Sequence, residues 1–515
     1  MTAPNNGDND RELANVTPQA DIEQVNVQHE ERDVEKNAAD ANASKSPAAR
    51  NEAEIVDWEG PDDPENPKNW PLWRKWVTTL LTSLGGLVTL MSGAMMAPAL
   101  SDISHELNIA PEEAQIALSI FILAFAFGPL FLGPCSEVFG RKPVWLVSST
   151  CYVIWNVICG FATKRGTMMA ARFFSGIGAS AQFAISFPVL SDCWKPDQRG
   201  TSFALATFIP LLGPAIGPIV GGVITQSIGW RWLFWALAIF NTFLIFLTTL
   251  FFRETHAATI LNRKAKQLRR QTGRNYRTSS TTGGPTLPQR LKLALTRPYR
   301  LLLTQPILQL LSLLLAVNFG ILYIVLSTYA TMWQDRYALS PRAAGLHYIA
   351  LVLGYTVAAQ AGGPATDRVW SYLKSRHAGA TEPEYRVPLM VPGVLLLPAG
   401  LVVYGWGAAR GLHWAVVDAG IAVFGCGNIL ATQAMQAYVM DAFEGCTASA
   451  SAASQFLRNV FAFAFPIFAP RMYERLGYGW GNTLLAGLFL ALGVPGPAVL
   501  WVYGARIRRM GKAQR

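Results

Sequence analysis

Polar residues dominate the first seventy positions, and beyond Trp70 the pattern inverts into long apolar runs separated by short polar intervals. Runs of about twenty residues match the hydrocarbon core of a bilayer crossed by a helix rising about 1.5 Å per residue. Twelve such runs predict twelve spanning helices: Trp76–Pro98, Ile116–Gly133, Val144–Phe161, Met168–Leu190, Phe203–Ile224 and Trp232–Phe252, then Leu308–Met332, Ala344–Ala361, Leu389–Tyr404, Val416–Val439, Ala450–Phe468 and Thr483–Tyr503. The run from Leu389 is the shortest and is broken by proline. Internal Pro and Gly are tolerated in a membrane, where neighbouring helices re-satisfy the backbone. Residues 1–70 show no apolar periodicity and bury too little surface to offset their ordering entropy, so they read as a disordered acidic tail.

Composition changes the picture in one respect, by removing the soluble alternatives. Of 515 residues, 51% are hydrophobic and 15% charged, against roughly 25% charged in soluble domains. The mean hydropathy is +0.25 despite the polar tail. The net charge of +10 would suit nucleic acid, but the Lys and Arg sit between apolar runs, as in loops facing anionic lipid. Nucleic acid is therefore not an expected partner.

The basic residues also predict orientation. Arg253, Arg263, Lys264, Lys266, Arg269, Arg270, Arg274 and Arg277 fill the interval after the sixth run. Arg141 and Lys142, Lys195 and Arg199, Arg368, Lys374 and Arg376, and Arg506, Arg508 and Arg509 fall on the same side, with Lys164, Arg165 and Arg410 opposite. The positive-inside rule puts the richer side, and with it both termini, in the cytoplasm. The expected organisation is a cytoplasmic tail over 1–70, a six-helix bundle over 71–252, a basic linker over 253–300, a second bundle over 301–505, and a short basic tail over 506–515. No cleavable signal is expected, the first apolar run serving as its own insertion signal. Cys135, Cys151, Cys159, Cys193, Cys426 and Cys446 lack CxxC or Cys/His spacing and read as packing residues.

The two halves share a short signature. Gly133-Pro134-Cys135-Ser136-Glu137 follows the second run, and Gly363-Pro364-Ala365-Thr366-Asp367-Arg368 follows the eighth. Repeats at corresponding places are how many transporters build two bundles around a midplane site. With Gly140, Arg141 and Lys142, these residues form a candidate conformational latch. Gly133 would let helices approach, Glu137 would accept from a helix N-terminus in the other half, and the basic pair would anchor at the leaflet. A plain basic turn is the simpler reading.

These residues resemble a known family. The stretch Gly133 to Lys142, ending Gly140-Arg141-Lys142, is similar to the loop motif of the major facilitator superfamily. Arg172-Phe-Phe-Ser-Gly-Ile-Gly178 resembles its helix-four motif, and Gly213-Pro-Ala-Ile-Gly-Pro-Ile-Val-Gly-Gly222 its exporter helix-five motif. Asp63-Pro-Glu-Asn-Pro-Lys-Asn-Trp70, Trp230-Arg-Trp-Leu-Phe-Trp235 and Leu476-Gly-Tyr-Gly-Trp-Gly481 look like signatures of the fungal drug:proton antiporter group with twelve helices. Val138 stands where the wider superfamily often has Arg, so part of the latch's charge network is missing. The resemblance covers about Trp58 to the C-terminus. It implies an all-α integral membrane protein of two pseudo-symmetric six-helix bundles, a monomer in the plasma membrane that exports small amphipathic molecules against protons.

Under that resemblance Arg172 is the candidate for proton coupling, since a guanidinium within a span is costly unless it faces protein or water. Snorkelling to the surface is the alternative. Gly213, Pro214, Gly217, Pro218, Gly221 and Gly222 would form an export hinge, or simply a close-packing face. Superfamily architecture places a substrate cavity on helices 1, 4, 7 and 10, with Met95, Gln182, Phe183, Phe187, Asn318, Tyr323, Asn428, Gln433 and Gln436 as candidates. Each is individually as apt to be core. Helix one has no carboxylate, and Asp192, Asp367, Asp418 and Asp441 lie near helix ends, so no carboxylate is assigned to the proton. No His cluster, nucleotide loop or nucleophile motif argues for an enzyme, and no cofactor beyond the coupling proton is expected. A polyamine or nutrient carrier, and a non-transporting sensor signalling through the tail, are the competing functions.

Overall fold

The computed structural model describes residues 54–195, 199–278, 287–376, 382–443 and 447–512. The chain divides into two compact units, Asp57–Arg263 with Ser280–Arg515 and Met1–Val56 with Lys264–Ser279. In the smaller unit β1 (Glu54–Ile55) pairs in parallel with β2 (Tyr276–Arg277). The expected tail falls outside the described residues up to position 53.

The larger unit holds every span. Its first half contains α1 (Leu72–Ala94), α2 (Leu100–Leu107), α3 (Pro111–Phe139), α4 (Arg141–Gly160), α5 (Arg165–Cys193), α6 (Arg199–Leu211), α7 (Gly213–Ile228) and α8 (Arg231–Phe251). After α9 (Ala257–Thr272) come α10 (Leu287–Thr304), α11 (Pro306–Tyr337), α12 (Pro341–Leu346), α13 (Tyr348–Arg376), α14 (Met390–Ala409), α15 (Trp414–Ala442), α16 (Thr447–Gly493) and α17 (Pro495–Lys512). Among the described residues eleven stretches are long and apolar enough to cross a bilayer, the last running 63 residues over Ser449–Gly511. At about 1.5 Å per residue that is far more than one crossing of a core about 30 Å thick. Gly477, at φ 68° and ψ 173°, breaks it into two. The described stretches are consistent with the twelve expected spans.

Local chemistry explains the polar residues inside these helices. In α1 the hydroxyls of Thr79, Thr82, Ser83 and Thr89 donate to carbonyls one turn back, at 2.6–2.9 Å, which hides them from lipid. Outward faces carry exposed Val147, Ile239, Leu353, Val357 and Leu484. Such a surface is untenable in water and natural against acyl chains.

Several expected boundaries are corrected. Gly133 to Glu137 lie in the last turns of α3, and Gly363 to Arg368 inside α13, so neither signature is a loop. The ninth span is a 27-residue stretch, Pro383–Ala409, whose first seven residues form a 3-10 turn that accommodates its prolines. The tail is not structureless up to residue 70. Asp63 accepts from the Glu59 and Glu65 amides at 2.9 and 2.8 Å, Asn69 donates to the Pro61 carbonyl at 2.7 Å, and Trp70 is buried beside Leu190 and Trp194. The basic linker is not all connector either, since Tyr299 of α10 packs on Phe456 of α16 at 5.0 Å. Residues 506–512 continue α17, where Gln305 donates to the Gly511 carbonyl at 2.9 Å.

Candidate functional site

The loops rich in Lys and Arg define a basic side of the spans; the other side is the far side. On the basic side, the start of α4 meets the end of α5. The Arg141 guanidinium is buried and lies 3.5 Å from Asp192. Glu254, just after α8, accepts from the amides of Arg141 at 2.8 Å and Lys142 at 3.3 Å, and from those of Thr255 and His256 at 3.1 Å. A carboxylate there satisfies orphan donors and faces the positive end of the helix dipole. Gly140 adopts φ 100°, a conformation glycine tolerates, and lets that carboxylate sit against its backbone.

The expected latch is thus redrawn. Glu137 is exposed and makes no hydrogen bond or ion pair among the described residues; Glu254 is the carboxylate that caps a helix, within its own half. Arg141 faces protein instead of lipid, and the Lys142 ammonium donates to the Thr249 carbonyl at 3.0 Å. The side chains of Gly363 and Asp367 lie outside the described residues, and Arg368 is exposed.

The second half repeats the ionic design at matching places. Arg386, before α14, pairs with Asp441 at the end of α15 at 2.8 Å. Glu384 pairs with Arg508 of α17 at 2.8 Å and accepts from the Tyr438 hydroxyl at 3.1 Å. Reading the Lys and Arg for orientation alone left Glu254, Glu384 and their partners unnoticed. For Glu254 the signal that finds it is a carboxylate directly after a span, opposite an Arg that opens another.

On the far side, α7 presents two glycine faces. A Cβ on Gly213 or Gly217 would come within 2.8 Å of Met91 backbone atoms in α1, and Gly221 is pressed on Met95. Gly222 meets the Pro341 carbonyl at the start of α12, and a Cβ on Gly345 would lie 2.5 Å from the Pro218 carbonyl. The two halves therefore touch here through backbone. Gln334 donating to the Pro98 carbonyl at 3.4 Å and Arg471 paired with Glu112 at 2.7 Å also join them on this side. Phe127 and Phe456 extend the contact inward at 5.7 Å.

Arg172 does not snorkel. It is fully buried in α5, donating to the Ser92 carbonyl at 3.2 Å, the Ala117 and Leu118 carbonyls at 3.3 Å and the Ser92 hydroxyl at 3.5 Å. Phe121 lies 4.4 Å from the guanidinium carbon, on its ring normal side. Every acceptor is neutral, so this cation ties α1, α3 and α5 together without a carboxylate.

The nine expected cavity residues do not form one surface. Asn428 donates to Asn318 at 2.8 Å and Asn318 to the Thr432 hydroxyl at 2.7 Å, so these amides knit α11 to α15. Gln182 is buried over Gly85 and lies with Trp145, Ser149, Asn241 and Thr248 around a gap in the first bundle too narrow to hold water. Met95 is buried against α7 and Tyr323 is buried in α11. Phe183, Phe187 and Gln433 are exposed in the basic-side halves of α5 and α15, and Gln436 is half-buried. Unforeseen was a far-side cluster in which Asp418 shares hydrogen bonds with His347 at 2.8 Å and Tyr329 at 2.6 Å, the imidazole stacked on Trp333 at 3.8 Å.

Known proteins share this organisation. The chain is 41% identical over 80% of its length to the protein named "Probable efflux pump mfs2" of Aspergillus flavus, covering 98% of that protein. It is 38% identical over 90% of its length to the efflux pump vrtL of Penicillium aethiopicum, covering 92% of it. A D-xylose-proton symporter structure aligns over 83% of this chain and 97% of its own, with a TM-score of 0.62 and 15% identity, which speaks for the fold alone. The profile of the Major Facilitator Superfamily matches residues 82–466. That match and the identity to these relatives place the chain in the Major Facilitator Superfamily of membrane transporters.

Proposed function

We propose that this transporter exports small amphipathic organic molecules across the plasma membrane in exchange for protons, as a monomer with its basic side and both termini in the cytoplasm. The observation that carries the reading is the contact of α7 with α12. Gly222 and Pro218 seal the far side through backbone, while Phe183, Phe187 and Gln433 are exposed within the basic-side halves of α5 and α15. A substrate entering from the cytoplasm would meet aromatic and amide groups before a closed outer door. Separating α7 from α12 would open that door, since glycine contacts offer no interlocking side chains to hold it. The names of the two fungal relatives support the direction. Proton coupling rests on Arg172, whose neutral cage holds a charge that a proton arriving nearby would perturb.

The test is efflux of fluorescent amphipathic dyes from a fungal strain stripped of its own pumps, with and without a protonophore. Export coupled to protons gives efflux that the protonophore abolishes and that Arg172→Ala loses at equal surface expression. Efflux insensitive to the protonophore, or none across a broad dye panel, overturns the reading.

A further inference from the structure

Two arginines lie deep within spans, and the fold treats them differently. Arg172 finds acceptors on α1 and α3 for its guanidinium. Arg458, in the eleventh span, makes no hydrogen bond and no ion pair among the described residues, and its Nε is buried without an acceptor. Its guanidinium carbon lies 4.0 Å from the Phe319 ring centre of α11. Arg458 and Tyr323, one turn along α11, act on each other electrostatically. The residue as a whole is half-buried, so the guanidinium is not sealed in.

Arg458 and Phe319 lie on facing helices of the second half. Two residues earlier, Phe456 packs on Phe127 of α3. Positions two apart do not share a helix face, so Arg458 lies beside that seam between the bundles, turned toward Phe319 of α11 inside the spans, where transporters of this architecture bind their cargo. A guanidinium carries five N–H donors in a planar fork suited to an oxyanion. Leaving such a group unpaired inside a membrane protein is costly, and such residues mark function by default.

Resting on the export reading above, we propose that Arg458 is the anion-recognising subsite of the transporter, and that its substrates are amphipathic aromatic acids carrying a carboxylate or acidic phenol. The oxyanion takes the free donors of Arg458, the Tyr323 hydroxyl lies within electrostatic reach of it, and the aromatic body lies along Phe319. A cationic substrate such as a polyamine meets repulsion at the same place, which sets selectivity by charge sign.

The experiment measures binding of dansylglycine and of its uncharged amide to the purified full-length protein in nanodiscs, with empty nanodiscs as blank. The expected result is acid binding tighter than amide by about tenfold or more, the order of one charge-assisted hydrogen-bond pair. Arg458→Gln removes that preference while amide binding persists, and Arg458→Lys keeps part of it, because a point charge replaces a fork. Equal binding of the two probes, binding of neither, or a preference that survives Arg458→Gln overturns the subsite. If Arg458→Gln binds neither probe, Arg458→Lys decides: a weakened preference supports the subsite, an unchanged one overturns it. Protonophore-sensitive efflux of neutral dyes without any acid preference overturns this inference and leaves the export reading standing. An intact preference without efflux does the reverse.

Discussion

At the scale of single residues, the decisive groups are charges whose partners are far away in sequence. Glu254 collects four backbone donors, two of them from the first residues of α4, more than a hundred positions earlier. Glu254→Ala leaves those amides without their acceptor. Unmet buried donors cost about 1–3 kcal/mol. The expected outcome is a lowered unfolding temperature in detergent that Glu254→Asp partly restores and Glu137→Ala does not reproduce. Equal melting of Glu254→Ala and the parent would show that the cap adds nothing. The sequence made Glu137 the natural carboxylate of the latch, because it sits in a familiar string. Which of two carboxylates reaches a helix end depends on how α8 returns beside α4, and no local spacing encodes that return.

At the scale of elements, α7 does two jobs with its two faces. Gly213, Gly217 and Gly221 lie against α1 inside one bundle, and Gly222 lies against α12 across the two. Overpacking a tight core costs about 1–3 kcal/mol. Gly217→Val is therefore expected to lower thermal stability, since its Cβ would meet the Met91 carbonyl at 2.8 Å. Gly222→Val should leave stability nearly unchanged, because the halves can separate to accept it. Its effect falls on the balance of conformations, read as faster labelling of a far-side Gln334→Cys by a membrane-impermeant thiol reagent. Loss of stability in both, with no change in labelling, would refute the division of labour. The helix-five string was legible as a glycine face from its four-residue spacing. That it has a second face, turned outward to another bundle, was not.

At the scale of the molecule, the halves repeat one ionic plan. Arg141 with Asp192 and Arg386 with Asp441 occupy equivalent ends of equivalent helices, so each half is fastened internally on its basic side, and the halves meet on the far side and at Phe127 with Phe456. Rigid halves that rock about a central site follow from this. A disulfide between Gly222→Cys and Pro341→Cys should then hold the far side shut. Under oxidant the doubly substituted protein is expected to lose efflux and to regain it on reduction, with either single substitution unaffected by oxidant. Efflux that continues after the cross-link has formed would mean that the far side need not open.

What the sequence determined by itself is the membrane and the family. Each is written in local terms: the length of an apolar run, the spacing of glycines, the side on which Lys and Arg accumulate. Hydrophobic burial in lipid is a property of each segment alone, so it is read segment by segment. Tertiary structure decided which polar groups meet. Asn318 and Asn428 satisfy each other, Gln182 turns into its own bundle, and Arg172 is caged while Arg458 is left open. The reason is physical: a buried polar group's state depends on the nearest donor or acceptor, and in a bundle that neighbour comes from a helix placed by packing, at a separation in sequence no periodicity records.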